Sequence, residues 1–218
     1  MLNEIFSVSF LVSLLAGTIR LATPILMPAL GQIYTQRAGI LNLGVEGTML
    51  MASVCGFSAA AATGSLWLGF LTGVATGALF SALMAWLSIS LRVNQVIAGI
   101  GMNILATGLA AYIYRLIYGI RTLPAKITSF QAVNIPVLSD IPYLGTIFFQ
   151  HNVLVYFAFL LVPISWFVLE KTVFGLKIRA VGEHPRAADS KGVSVGAIRY
   201  AAVIIGGAYA GAGGVFMT

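Results

Sequence analysis

Long apolar runs, interrupted by short charged or proline-bearing segments, set the pattern along this chain. A helix that crosses a bilayer needs about 20 such residues, with a range of about 17 to 25. On that measure the pattern predicts spans at Ile5–Ile19, Leu21–Gln36, Thr48–Thr63, Leu66–Leu91, Gln95–Tyr114, Val153–Leu169 and from Ile198 onward. The expected fold is all-α: a polytopic transmembrane helical bundle over residues 1–218, with about seven spans visible. Arg20 splits one apolar run, so residues 5–36 read either as two spans or as one span plus a broken helix.

One run breaks the pattern from inside. Ala38 to Met51 reads AGILNLGVEGTMLM and carries Asn42, Glu46, Gly39, Gly44 and Gly47. Each glycine weakens a continuous helix by about 1 kcal/mol relative to alanine. A bent or broken helix, with its loosened backbone sheltered by protein, fits better. Gly47 followed by Thr48 opens a new helix, which puts Glu46 at its positive N-terminal end. Asn42 then satisfies freed backbone groups. A second reading stays open, because an ionisable group at membrane depth is a functional candidate: Asn42 and Glu46 line a pathway or an inner gate.

Two further spans carry faces of small residues. Gly69, Gly73 and Gly77 recur every four positions, as do Gly207 and Gly211, so each set lies on one helix face. Such faces let another helix backbone approach closely; they serve tight packing or, alternatively, a surface that slides during a transport cycle. In the fifth span Gln95, Gly99 and Asn103 share a face. That polar stripe either lines a path for a hydroxylated solute or bonds to a neighbouring helix.

Composition supports the membrane reading. Of 218 residues, 59% are hydrophobic and 8% charged, against about 25% charged in an average soluble domain. The mean hydropathy is +0.98. The net charge of +6 comes from bases in short connecting segments, with no dense basic stripe, so no nucleic acid partner is expected. The N-terminus lacks the basic region of a signal peptide and carries Glu4. Cys55 is the only cysteine, and His151 and His184 fall on opposite sides of the membrane, so no disulfide or metal site is expected. The chain ends on AGAGGVFMT in mid-hydrophobic run, which reads as an incomplete chain.

The densest basic segment holds Lys171, Lys177, Arg179, Arg186, Lys191 and Arg199 and is placed on the cytoplasmic side. Alternation then puts residues 118–152 outside as an external loop with Pro124, Pro136 and Pro142, puts Arg92 and Arg37–Gly47 at the inner side, and makes the N-terminus cytoplasmic. Within the basic segment, Pro185 suits the first position of a helix and Gly192 its end. Between them lie Arg186, Ala187, Ala188, Asp189, Ser190 and Lys191. This is either a short helix able to dock in a partner's groove or an ordinary solvated loop. No G-x-S-x-G, HExxH or phosphate-binding loop occurs, so the chain has no visible means of hydrolysing ATP.

The segment FGLKIRAVGEHPRAADSKGV resembles the cytoplasmic loop of ABC importer permeases. Its Ala187-Ala188-x-x-x-Gly192 spacing echoes the general motif Glu-Ala-Ala-x-x-x-Gly, with Arg186 in place of the glutamate. QRAGILNLGVEGTMLM is similar to the permeases for branched-chain amino acids, simple sugars and nucleosides. Taken together with RAVGEHPRAAD, it most resembles the general nucleoside and simple-sugar permeases, which work with a basic-membrane-protein type lipoprotein. The resemblance runs from about Leu30 to Thr218.

It implies a permease in the bacterial plasma membrane, not itself an enzyme, that forms the path for nucleosides or simple sugars. Its implied partners are a second related permease, a cytoplasmic ABC ATPase that binds ATP and magnesium, an external solute-binding lipoprotein, and membrane lipids. Residues 170–197 become a coupling loop in which Pro185, Arg186, Ala187, Ala188, Asp189 and Gly192 meet the ATPase. The alternatives are a secondary carrier or channel for a small polar solute, or a branched-chain amino acid permease of the same family.

Overall fold

The computed structural model describes residues 8–119, 132–134 and 144–218. Among them, six helices are long and apolar enough to cross a membrane: α1 (Val8–Arg37), α2 (Val45–Thr63), α3 (Leu66–Ala85, continued by the π-turn Trp86–Ser90), α4 (Gln95–Tyr118), α6 (Val153–Lys171) and α9 (Val195–Phe216). Between α4 and α6 lie the three-residue strand β1 (Ala132–Asn134), the short helix α5 (Leu144–Phe148) and strand β2 (Gln150–Asn152), which pairs antiparallel with β1. Between α6 and α9 lie α7 (Val173–Glu183) and α8 (Pro185–Ser190).

The first two expected spans are one helix. The 30 residues of α1 run unbroken through Arg20, with Pro24 and Pro28 inside. A single charge does not end a helix, and prolines are tolerated in membrane helices where neighbours cover the disturbed backbone. Here α9 is that neighbour: a Cβ on Gly213 would sit 2.7 Å from the Pro24 carbonyl and 2.8 Å from Pro28 Cδ. Six spans among the described residues therefore stand where about seven were expected. The side of the N-terminal end is corrected: Val8 and Arg37 lie at opposite ends of one span, so the Val8 end is not on the side of the Arg37–Gly47 segment.

The bundle is built around α9, whose small residues admit three helices at backbone distance. A Cβ on Gly206 would meet Thr35 Cγ2 at 2.7 Å and the Gly31 carbonyl of α1 at 2.9 Å. One on Gly211 would meet the Gly73 carbonyl of α3 at 2.6 Å, and Gly77 packs against Gly207 and Gly211. Gly214 packs on the Met49 backbone of α2, and Gly69 lies against Gly56 and Ala60 of the same helix. The glycine spacing thus places Gly69, Gly73, Gly77, Gly207 and Gly211 at helix–helix contacts. Large apolar side chains point outward instead: Leu21, Leu79, Ile104 and Leu116 are each 70–74% exposed. That inversion suits a lipid or partner surface and not water.

The π-turn at the end of α3 is tied to α9 by Ser90 Oγ, 2.6 Å from Tyr200 Oη. Asn94 starts α4 as a side-chain cap, its Oδ1 accepting from Val96 N at 2.9 Å. Arg115 belongs to the last turn of α4. The prolines 124, 136 and 142 of the expected external loop lie outside the described residues.

Candidate functional site

The chain between α1 and α2 lacks regular structure, and backbone groups left unpaired there and shielded from water would be costly. Gly39, at φ +76°, turns it out of α1. From there side-chain amides take over from the missing helix. Asn42, 3% exposed, accepts from Gly44 N at 3.0 Å through Oδ1, and its carbonyl accepts from Gln32 Nε2 at 2.5 Å. Thr48 Oγ1 donates to the Gly44 carbonyl at 2.9 Å.

The polar stripe of α4 supplies the rest. Gln95 Oε1 accepts from Leu41 N at 2.7 Å. Asn103 Oδ1 accepts from Gly47 N at 2.8 Å, while its Nδ2 donates to the Leu43 carbonyl at 3.1 Å. Gly99, between them, lets the segment close in: a Cβ there would lie 2.7 Å from Leu43 Cβ. The stripe therefore bonds to a neighbouring segment, and that segment is not a helix but the break itself.

Glu46 stands in the first turn of α2. Its backbone neighbour Gly47 lies level with Asn103, eight residues along α4 from Gln95, so the carboxylate sits about 12 Å up the helix axis from that end. It is exposed and makes no hydrogen bond or ion pair among the described residues. Asn42, Gln95 and Asn103 are thus engaged with backbone and Glu46 is not. Met49, Leu50, Ser53 and Gly214 line a shallow pocket with it.

At the end of the bundle that gathers the bases, α8 begins on Pro185 and closes on Gly192, at φ +79°. Val193 N reaches the Ala188 carbonyl at 3.1 Å. Ala188 is buried, whereas Arg186, Ala187 and Asp189 are exposed. Helix α7, which falls within the expected coupling loop 170–197, packs against α8. Thr172 Oγ1 caps it by accepting from Gly175 N at 3.2 Å, and Gly175, Ile178 and Val181 form its buried face. The three-residue spacing of that face after a capping threonine was the available signal.

This end is stitched to the break. Arg179 Nη1 lies 2.7 Å from Glu170 Oε2, and Arg37 Nη1 lies 3.8 Å from Glu170 Oε1. Gly182 of α7 packs against the Arg37 carbonyl, and Arg199 Nε of α9 donates to the Ala38 carbonyl at 3.2 Å. Arg179 and Gly182 fall within RAVGEHPRAAD, but that motif does not name their partners, and Glu170 and Arg199 stand outside it, because the contacts that tie α6, α7 and α9 to the end of α1 form between distant parts of the chain.

A sequence profile described as branched-chain amino acid transport system / permease component matches residues 14–218. The chain is 43% identical to the putative glucose ABC transporter permease protein TsgC13 of Haloferax volcanii, over 96% of this chain and 64% of that protein. It is 40% identical to the guanosine ABC transporter permease protein NupQ of Bacillus subtilis, over 95% and 67% respectively. It is 36% identical to the nucleoside ABC transporter permease protein NupC of Lactococcus lactis subsp. cremoris, over 92% and 65%. The chain spans 64% of the length of the first of these relatives. No solved structure matches it.

Proposed function

The chain belongs to the family of branched-chain amino acid transport system permease components, and from that premise we propose that it is a membrane subunit of an ATP-binding cassette importer. It is a multi-pass integral membrane protein. In this reading it pairs with a second related permease and takes its solute from an external binding lipoprotein. ATP and magnesium are bound and hydrolysis is carried out by a cytoplasmic ATPase, not by this chain. The basic end faces the cytoplasm, as the loop bases require. Nucleosides are the first cargo class and simple sugars the second, following the printed names of the relatives.

The observation that supports this reading most is the pairing of an exposed α8 with its ties to the break. Arg186, Ala187 and Asp189 project from the basic end, and the Arg179–Glu170–Arg37 chain connects the neighbouring helix to the end of α1. Closure of the ATPase dimer moves α8. Because α7 packs on the Arg37 carbonyl, that displacement reaches the Ala38–Gly47 segment and the helices it joins. Their tilt switches the transport path between its two openings.

Reversing both charges, Arg186→Glu with Asp189→Lys, tests the coupling. With the full complex in proteoliposomes, ATP hydrolysis is expected to continue while ATP-driven uptake of a labelled nucleoside falls about tenfold or more, a cost of about 1.4 kcal/mol in coupling. Membrane insertion stays intact, since both side chains are exposed. Unchanged uptake, or uptake in the wild type driven by an ion gradient without ATP, rejects the reading.

A further inference from the structure

At the end of the bundle away from the bases, a cavity of about 390 Å³ opens between α1 and the α5–β2 segment. Small-ligand pockets run from about 300 to 1,000 Å³. Ser13, Gly17 and Arg20 of α1 line it on one side, and Thr146, Gln150 and Asn152 on the other. Arg20 is the residue that the spanning pattern does not absorb. It is a permanent cation in an apolar helix, its side chain is exposed, and it has no ion pair or hydrogen bond among the described residues.

Depth decides what such a cation meets. Arg20 is 17 residues from Arg37, about 25 Å along the helix axis at 1.5 Å per residue. The hydrocarbon core is about 30 Å thick. With Arg37 at one boundary, Arg20 lies within about 5 Å of the other, close enough for its stem to carry the guanidinium to the headgroup level.

Among the described residues, the cavity walls supply donors and no carboxylate. Asn152 Oδ1 is occupied by Val155 N at 3.2 Å, which leaves the Nδ2 hydrogens of that amide to act. Thr146 is exposed and its hydroxyl has no partner among the described residues. His151, 5% exposed, is engaged inward through Nε2, 2.8 Å from the Ile147 carbonyl. A cation with hydroxyl and amide donors calls for an anion, and the guanidinium fork matches a phosphate bidentately.

The surroundings choose a lipid over a free ion. Leu21 and Ile25, 74% and 66% exposed, lie four residues apart on the Arg37 side of Arg20, and Phe148 across the cavity is 48% exposed. These give apolar rests for acyl chains next to the polar cavity. We propose that Arg20, Thr146 and Asn152 form a binding site for the phosphate group of an anionic phospholipid in the leaflet at the Val8 end.

Native mass spectrometry of the assembled complex, supplied with phosphatidylglycerol, tests this. Wild type is expected to retain the lipid. Arg20→Gln should lower retention about tenfold, the effect of losing a charge-assisted pair. Arg20→Lys should lose less, since it keeps the charge without the fork. Thr146→Val, at an exposed position, should lower retention without lowering the melting temperature, which covers the case in which Arg20→Gln fails to assemble. Equal retention in wild type and in these variants overturns the site. Displacement of the lipid by millimolar inorganic phosphate marks a free-anion site and also overturns it. So does a rise in retention in Asp140→Asn, because Arg20 would then be held by an internal ion pair.

Discussion

Two regions of this molecule solve the same problem, bringing backbones together inside a membrane, by opposite means. Where α9 meets α1, α2 and α3, side chains are removed: Gly31 meets Gly206, Gly77 meets Gly207 and Gly211, and Gly214 meets Met49. Helical backbones satisfy themselves, so nothing polar need be added. Where α1 gives way to α2, the helix is lost, and side chains are supplied: Asn42, Gln95 and Asn103 bond to the loosened N–H and C=O groups. The first region fails by steric conflict and the second by unsatisfied polarity. A glycine therefore means different things in the two places. In α3 it marks a contact, while at Gly39 it marks a backbone angle.

The largest expected effect of breaking this contrast lies in the helix core. In Gly77→Ala the new methyl meets the Gly207 carbonyl and lies 2.7 Å from Gly211 Cα, and neither backbone can rotate away. A cost near the upper end of the overpacking range, about 3 kcal/mol, is expected. It reads out as a lowered melting temperature of the purified complex. Gly101→Ala is the control: nothing lies within 4 Å of a Cβ there, so its stability should hold or rise by up to about 1 kcal/mol. Equal losses in the two variants would show that helix glycines act through propensity, not contact.

Next comes the break. Asn103→Leu keeps the branched heavy-atom shape of the side chain but strands Gly47 N and the Leu43 carbonyl. Hydrogen bonds between membrane segments are worth about 0.6 to 1.7 kcal/mol each, so a loss of about 1 to 3 kcal/mol is expected. Asn103→Gln, which keeps both groups, should recover part of it. A neutral leucine variant would mean that the break is held by packing alone.

The sequence carried these two regions unequally. Helix contacts were readable because glycines four apart in α3 and α9 state a face, and a face needs only local spacing. That α4 carries a polar stripe was also local. What it touches was not, since Gln95 and Leu41 are 54 residues apart and Asn103 and Gly47 are 56 apart. At Arg20 the sequence left two spans or one span with a broken helix open, and helix geometry carries α1 through that residue unbroken. Helix α7 was missed because its buried face of Gly175, Ile178 and Val181 is brief and set among bases that read as loop.

The smallest expected effect on stability is at Glu46, and it separates the roles open to that residue. As a first-turn acid it gains from the helix dipole about 0.3 to 1 kcal/mol, and it makes no bond among the described residues that Glu46→Gln would break. Glutamine keeps the size and removes the charge, so abundance and melting temperature should barely move. Uptake is the informative readout. A carboxylate about 12 Å inside the helix end cannot rest against lipid without cost, so its exposed face belongs against a partner chain or an aqueous path. If Glu46→Gln keeps abundance and loses uptake, the charge acts in the transport cycle. If it lowers abundance in step with Asn103→Leu, Glu46 belongs with the amides that hold the break, and the two regions then differ only in how they join backbones.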